Sequence, residues 1–508
     1  MDIILLKIYW PEFFLSLSII HILIFNAYLV NNPKLNFPNL DTVIFCQVGT
    51  ILFYLLILLL NNDLFGFDYN YFFVSDLSSK TLKTIFVCFC ILSFPFIWKS
   101  FVLQHLNFFE YFVIYLIAIL ALLFLANAFN LMSIYLCLEL QAISFYVLAA
   151  FQRNSLFSSE AGLKYFISSS LISGFFLMGC ALLYGSLGSL NLHSINLLTS
   201  FLEPSNYELL FVYVAFGIYF IISALLFKLV IAPYHIWFPQ IYDGSPLSST
   251  IIFSIVPKII LISLFIKVWS SVSHLLIFSE TTLFLIGVYS IFFGLFKALK
   301  QKRLKKLYIY SSISQMGLPI CALVDNTANS LVAVYFFLII YLVTSVLLWG
   351  TFVLIVNNQK TSSNLKDVNV TIYPIFITAL KHLKTHNSTF ALCFLFLFFS
   401  LAAIPPLSGF LSKILIYSSL IQSCKYEASV LIIYVSVYGV YYYLKFLKVI
   451  LFENSTLTSH IRTLSVFESK YLALECNIYA FCMFLLLLFC FYPNIVILKC
   501  IELSFYPL

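Results

Sequence analysis

Five charged residues, Glu139, Lys164, Lys228, Lys258 and Lys413, stand inside long apolar runs of a chain in which only 9% of residues are charged. A sixth ionisable group, His235, follows Lys228 by seven residues, two turns on an unbroken helix and therefore the same face. Each buried charge costs about 2.5–3.5 kcal/mol at mid-membrane on insertion scales. Five would consume on the order of 15 kcal/mol, more than a fold usually holds in reserve. Such groups must be paired, hydrated or neutral. Their chemistry is proton handling: burial lowers a lysine pKa, a nearby carboxylate raises it again, and imidazole titrates nearest neutrality. A Glu–Lys pair at about 4 Å is worth about 4 kcal/mol at an effective dielectric of about 20, or roughly three pKa units. Making and breaking such a pair can load and unload a proton, since moving one charge against 100 mV takes about 2.3 kcal/mol.

These groups need elements that hold them in oil. The 508 residues are 62% hydrophobic, with mean hydropathy +1.04, too little polar surface for a water-soluble body. The class is an all-α polytopic membrane protein. A hydrocarbon core needs about 20 helical residues per crossing, which gives about 14 spans. They are expected near 11–30, 43–60, 84–103, 109–126, 128–151, 161–186, 207–230, 247–270, 280–297, 304–323, 328–356, 388–422, 428–452 and 473–497. The runs are continuous rather than alternating, which favours helices over a barrel. The opening stretch MDIILLKIYWPEFFLSLSIIHILIF carries Asp2 and Glu12, unlike an Arg/Ser-rich presequence, and reads as a first span.

With an even count both ends share a side. Odd-to-even loops then hold about 15 Lys/Arg, against about 5 in the other loops and termini. The largest cluster is KALKQKRLKKL, 297–307. The net charge of +7 thus encodes topology rather than nucleic-acid binding.

Two spans are interrupted, one by Pro233 and one by Pro405 and Pro406 in LAAIPPLSGFLSKIL, 401–415. Proline lacks the amide hydrogen and clashes with the carbonyl four residues earlier. The freed carbonyls of Leu229, Leu401 and Ala402 must therefore meet protein or water. Paired broken spans indicate two inverted repeats. The expected organisation is 1–105 for the N-terminal helices, 106–275 and 276–452 for the repeats, and 453–508 for a C-terminal loop and last span. The polar stretch 357–387 has room for a helix lying along the membrane. Lys267, Lys445 and Lys448, near span ends, read as interfacial anchors. The 12 cysteines are scattered through apolar runs with no C-x-x-C pair, so they read as free thiols without an iron–sulfur pattern. There is no G-x-G-x-x-G and no P-loop.

Four stretches carry a resemblance. They are LELQAISFYVLAAFQRNSLFSSEAGLKYFISSSLISGF (138–175), FKLVIAPYHIWFPQIYDGSPLSSTIIFSIVPKIIL (227–261), FKALKQKRLKKLYIYSSISQMG (296–317) and FSLAAIPPLSGFLSKILIY (399–417). In this order they resemble the antiporter-like membrane subunits of respiratory complex I, NADH:ubiquinone oxidoreductase, and most the branch called subunit N in bacteria and subunit 2 in mitochondria. The similarity covers about 110–450; the first 100 residues carry little of it.

The resemblance implies a core membrane-arm subunit that translocates protons through Glu139, Lys164, Lys228, His235, Lys258 and Lys413, coupled to electron transfer elsewhere. It implies a Glu139–Lys164 pair. It also implies no cofactor and no metal in this chain, with FMN and iron–sulfur clusters held by partner subunits. Partners would be other membrane-arm subunits and lipids such as cardiolipin, with no nucleic acid. One departure stands out: relatives commonly carry histidine in SSI-x-H-x-G where this chain has Gln315, which can hold a water but cannot titrate. The richness in Phe, Tyr, Ile and Asn resembles an A+T-rich organellar genome. That points to the mitochondrial inner membrane with basic loops on the matrix side. The alternatives are a stand-alone cation/proton antiporter and a structural membrane subunit whose charges only satisfy one another.

Overall fold

The computed structural model describes residues 7–31, 40–62, 65–67, 72–104, 106, 108–200, 208–273, 277–362, 380, 388–452 and 472–505. Most of the 357–387 stretch and the loop 453–471 lie outside the described residues. Apolar runs of span length become helices because oil offers the backbone no other hydrogen-bond partner. The chain forms two compact units. Residues 1–229, 244–279 and 502–508 make unit 1, and 230–243 and 280–501 make unit 2. The units divide at 279/280, and residues 230–243 cluster with the second unit.

In unit 1, α1 (Trp10–Asn31) and α2 (Leu40–Asn61) lead to a short antiparallel ladder, β1 (Gly66–Phe67) with β2 (Val74–Ser75). Then follow α3 (Leu77–Leu103), α4 (Glu110–Asn127), α5 (Leu131–Ala149), α6 (Leu156–Leu187), the short α7 (Leu192–Ser200) and α8 (Glu208–Lys228). The start of α3 lies seven residues before the expected position of 84. Asn130 caps α5, its side-chain oxygen accepting from the Met132 amide at 2.9 Å. The long α6 ends at Gly188, whose φ of 73° suits a residue without a Cβ. Helices α6 and α8 pack along each other. Gly179 permits their approach, since a Cβ there would lie 2.7 Å from the Gly217 carbonyl oxygen.

The chain enters unit 2 at the first break. Helix α8 stops at Lys228, five residues before Pro233, and a run of turns with Val230 at φ 64° leads to α9 (Trp237–Gly244). Back in unit 1, the span expected as continuous over 247–270 is itself interrupted. Helix α10 (Leu247–Ile255) is separated from α11 (Lys258–Val272) at Val256 and Pro257. The proline removes one helical donor there.

The remaining helices belong to unit 2 except for the first residues of α12 and the last of α19: α12 (Ile277–Leu299), α13 (Leu304–Ala322), α14 (Ala328–Ser362), α15 (Ser388–Ala402), α16 (Ser408–Gln422), α17 (Tyr426–Leu451), α18 (Leu472–Phe491) and α19 (Asn494–Ser504). Helix α14 packs against α13, α15, α16 and α18 and is buried from Ala333 to Asn357, the apolar axis of the unit. Among the described residues, 13 helical segments are long and apolar enough to cross a membrane. The fourteenth expected span, 388–422, is the broken pair α15 and α16, each 15 residues and too short to cross alone.

Candidate functional site

The candidate residues divide between the units. In unit 1, Glu139 sits in the middle of α5, half-buried, with its Oε1 buried and without a hydrogen-bond partner among the described residues. Tyr135, one turn before, and Tyr146, two turns after, lie within its electrostatic reach. Lys228 is the last residue of α8. Its Nζ donates to Ser169 Oγ on α6 at 2.8 Å, and Glu139 is the carboxylate acting on it. The close approach of α6 and α8 brings these two side chains together. Ser169 is fully buried and was not singled out in the sequence; its signal is the SSS run, 168–170, inside a span.

Lys164 corrects an expectation. Its side chain is 45% exposed, and Nζ lies 2.6 Å from Glu160 Oε1, one turn earlier on α6, rather than on Glu139. Helix phase is the reason. Ala161, Tyr165 and Ser169 face inward, whereas Leu163, Lys164 and Ile167 share the outward face. Lys258 is the first residue of α11, just after the Pro257 interruption, and is 6% exposed. Lys228, Lys258 and Lys413 therefore all stand at or just beyond a helix interruption, where the backbone is least able to satisfy itself.

In unit 2, His235 lies in the turns before α9, buried, with its ring centroid 4.0 Å from that of Phe293 on α12. Lys297 Nζ sits 5.5 Å from the same Phe293 ring. His235 Nδ1 has no hydrogen-bond partner among the described residues. Lys413, on α16, donates to the Leu401 carbonyl at 3.3 Å, so one of the freed carbonyls meets protein as expected. Gln315 donates to the Tyr443 hydroxyl at 3.3 Å, an uncharged link. The basic run 297–307 is anchored by Asp243, which holds Arg303 at 3.2 Å and Lys306 at 3.4 Å.

A further group escaped sequence reasoning. Glu12 on α1 forms a buried ion pair with Lys83 on α3, and Asn127 at the end of α4 donates to the same carboxylate oxygen at 3.5 Å. With the span expected from 84, Lys83 falls just before it. Lys267, expected as an interfacial anchor, is half-buried and donates to the Ala126 carbonyl at 2.7 Å. Lys445 and Lys448 are exposed. Among the described residues, no cluster of three or more His, Cys, Asp or Glu could hold a metal ion.

Residues 128–440 match the family described as NADH:quinone oxidoreductase/Mrp antiporter, transmembrane. The NADH-quinone oxidoreductase subunit N of Pelagibacter ubique is 33% identical over 451 residues, covering 87% of this chain and 89% of that protein. The NADH-ubiquinone oxidoreductase chain 2 of Marchantia polymorpha is 29% identical over 462 residues, 88% of each chain. Among solved structures, a chain of respiratory complex I from Thermus thermophilus with bound aureothin superposes with a TM-score of 0.71 at 23% identity, over 96% of this chain and 98% of that one. A chain of the Mrp complex from Dietzia gives 0.79 at 16% identity, over 98% and 97%. These two likenesses speak for the fold.

Proposed function

The chain belongs to the NADH:quinone oxidoreductase/Mrp antiporter family, in its subunit N branch, and is an antiporter-like membrane subunit of a respiratory NADH–quinone oxidoreductase; we propose that it translocates protons through its buried lysines, driven by electron transfer in partner subunits. The observation that carries this reading is Lys228, held by Ser169 within electrostatic reach of Glu139, whose Oε1 has no hydrogen-bond partner among the described residues. Strengthening or weakening that interaction changes the proton affinity of Lys228 by the scale that transport against a membrane potential requires. Lys258 in the same unit, and His235 and Lys413 in the other, carry protons onward. Lys164 is the exposed arm. A charge arriving from a neighbouring subunit at the Glu160–Lys164 pair changes the field felt by Glu139.

The redox chemistry, with FMN and iron–sulfur clusters, is assigned to partner subunits, because this chain has no dinucleotide motif and its apolar runs leave no hydrophilic domain to hold them. Composition supports the mitochondrial inner membrane, with the basic loops on the matrix side and cardiolipin as a lipid contact. The test is Lys228→Met in the assembled complex, reconstituted in vesicles. Proton translocation per NADH oxidised should fall while the complex assembles normally. Full pumping by an assembled variant would exclude Lys228. Copurification separates the alternatives, since a stand-alone antiporter isolates without partners.

A further inference from the structure

The Glu12–Lys83 pair is buried at both ends, on helices α1 and α3 that lie outside the residues matched by the family. Lys83 Nζ holds Oε1 of the carboxylate, and Asn127 Nδ2 approaches the same oxygen at 3.5 Å. The other oxygen, Glu12 Oε2, is buried with no hydrogen-bond partner among the described residues, and so is Asn127 Oδ1. Two orphan acceptors on side chains already in contact call for a hydrogen donor. A single proton on Oε2, or a water between them, would serve both.

The surroundings make this site more than a staple. Asp76 is the N-cap residue of α3, seven residues before Lys83 in the chain. It is half-buried, and burial pushes its carboxyl above the usual aspartate value while Lys267 partly offsets this. Lys267, on α11, donates to Ala126, the residue before Asn127, and lies within electrostatic reach of both Asp76 and Lys83. Helices α1 and α3 begin at this end of unit 1, and α4 and α11 finish at it. On the loop-charge topology it is the side poor in Lys and Arg, the side where a pumped proton would leave.

We propose that Glu12, Lys83 and Asn127 form a proton-release site in the N-terminal helices of unit 1, with Lys267 and Asp76 as its neighbours along the route. At rest the pair is carboxylate and ammonium, with net charge zero. An arriving proton binds Glu12 Oε2, giving a carboxylic acid that donates to Asn127 Oδ1 beside the retained Lys83 ammonium, with net charge +1. Loss of that proton toward Asp76 and the aqueous side restores the ion pair. This inference rests on the proton-translocating reading of the chain.

The experiment compares Glu12→Gln, Glu12→Asp and Lys228→Met in the assembled complex in vesicles, reading protons translocated per NADH oxidised and the infrared carboxyl band that appears during turnover. Glu12→Gln should lose this chain's share of the protons and the carboxyl band. Glu12→Asp should restore the protons and shift the band. An unchanged proton ratio in Glu12→Gln, with loss in Lys228→Met, would overturn the release site and leave the main reading standing. Full pumping in Lys228→Met would instead strike at the main reading. If Glu12→Gln fails to assemble, the band in the wild-type complex and in Glu12→Asp decides. A band that shifts between the two supports the site, and no carboxyl band sensitive to the Asp substitution overturns it.

Discussion

The two major helix breaks place a lysine differently and tie it to a different kind of partner. At the first break, Lys228 closes α8 just before Val230 (φ 64°). Its amine reaches a serine on another helix, within the field of a carboxylate. At the second, Lys413 follows Ala403 (φ 59°) and donates to Leu401, a backbone carbonyl of its own broken span. Gly409 lets that second break close, because a Cβ there would overlap the Ser400 carbonyl. A carboxylate can change charge and a carbonyl cannot. The first lysine is therefore placed to be switched, while the second also serves as a tie across its break. The same residue type at corresponding interruptions thus carries different physical duties.

Removing each lysine tests that contrast most severely. Lys228→Met should cut this chain's share of proton translocation by about a hundredfold or more, the scale lost with a positioned acid–base group, with assembly seen on native gels unchanged. Lys413→Met should lower translocation and also destabilise the broken span by about 1–3 kcal/mol, because the Leu401 carbonyl loses its donor. A lowered melting temperature of the purified complex would show it. A Lys413→Met complex that melts normally would erase the proposed difference between the breaks.

Smaller changes sharpen the comparison. Ser169→Ala removes one hydrogen bond to Lys228 and should slow translocation about fivefold, corresponding to about 1 kcal/mol, and shift its pH profile. The same substitution should leave the melting temperature nearly unchanged. The mildest effect concerns Lys425, just beyond the end of α16. Burial alone would lower its pKa, but hydrogen bonds from its amine to Asp325 and Glu280 outweigh that and hold it above the usual lysine value. A raised folded-state value stabilises fully below the ordinary lysine pKa of 10.5 and loses the contribution as pH rises through the folded value. Because the pair is partly exposed, it should amount to less than about 1 kcal/mol. Melting curves of native and Lys425→Met complexes should differ by a constant below about pH 10 and converge only as the pH rises through the raised folded-state value.

Much of the fold was legible because crossing a membrane is a local demand. Fourteen apolar stretches, the loop charges and the prolines at 233, 405 and 406 each act within a window of about 20 residues. Pro257 gave the same local signal but was passed over inside a long apolar run. Lys83 was missed for a related reason: Ser78, Lys80 and Thr81 lower the hydropathy of the first turns of α3, so a window scan starts the span too late.

By itself, then, the sequence determined that the chain is a series of apolar membrane-spanning helices, which loops are basic, and the helix breaks at Pro233 and at Pro405 and Pro406. Tertiary structure alone decided who meets whom. Lys164 turned outward to Glu160 because of the phase of α6, Lys228 met Ser169 because two glycines let α6 and α8 approach, and Glu12 found Lys83 across 71 residues of chain. Those pairings depend on helix rotation and on close packing between distant segments, and no spacing along a single chain encodes either.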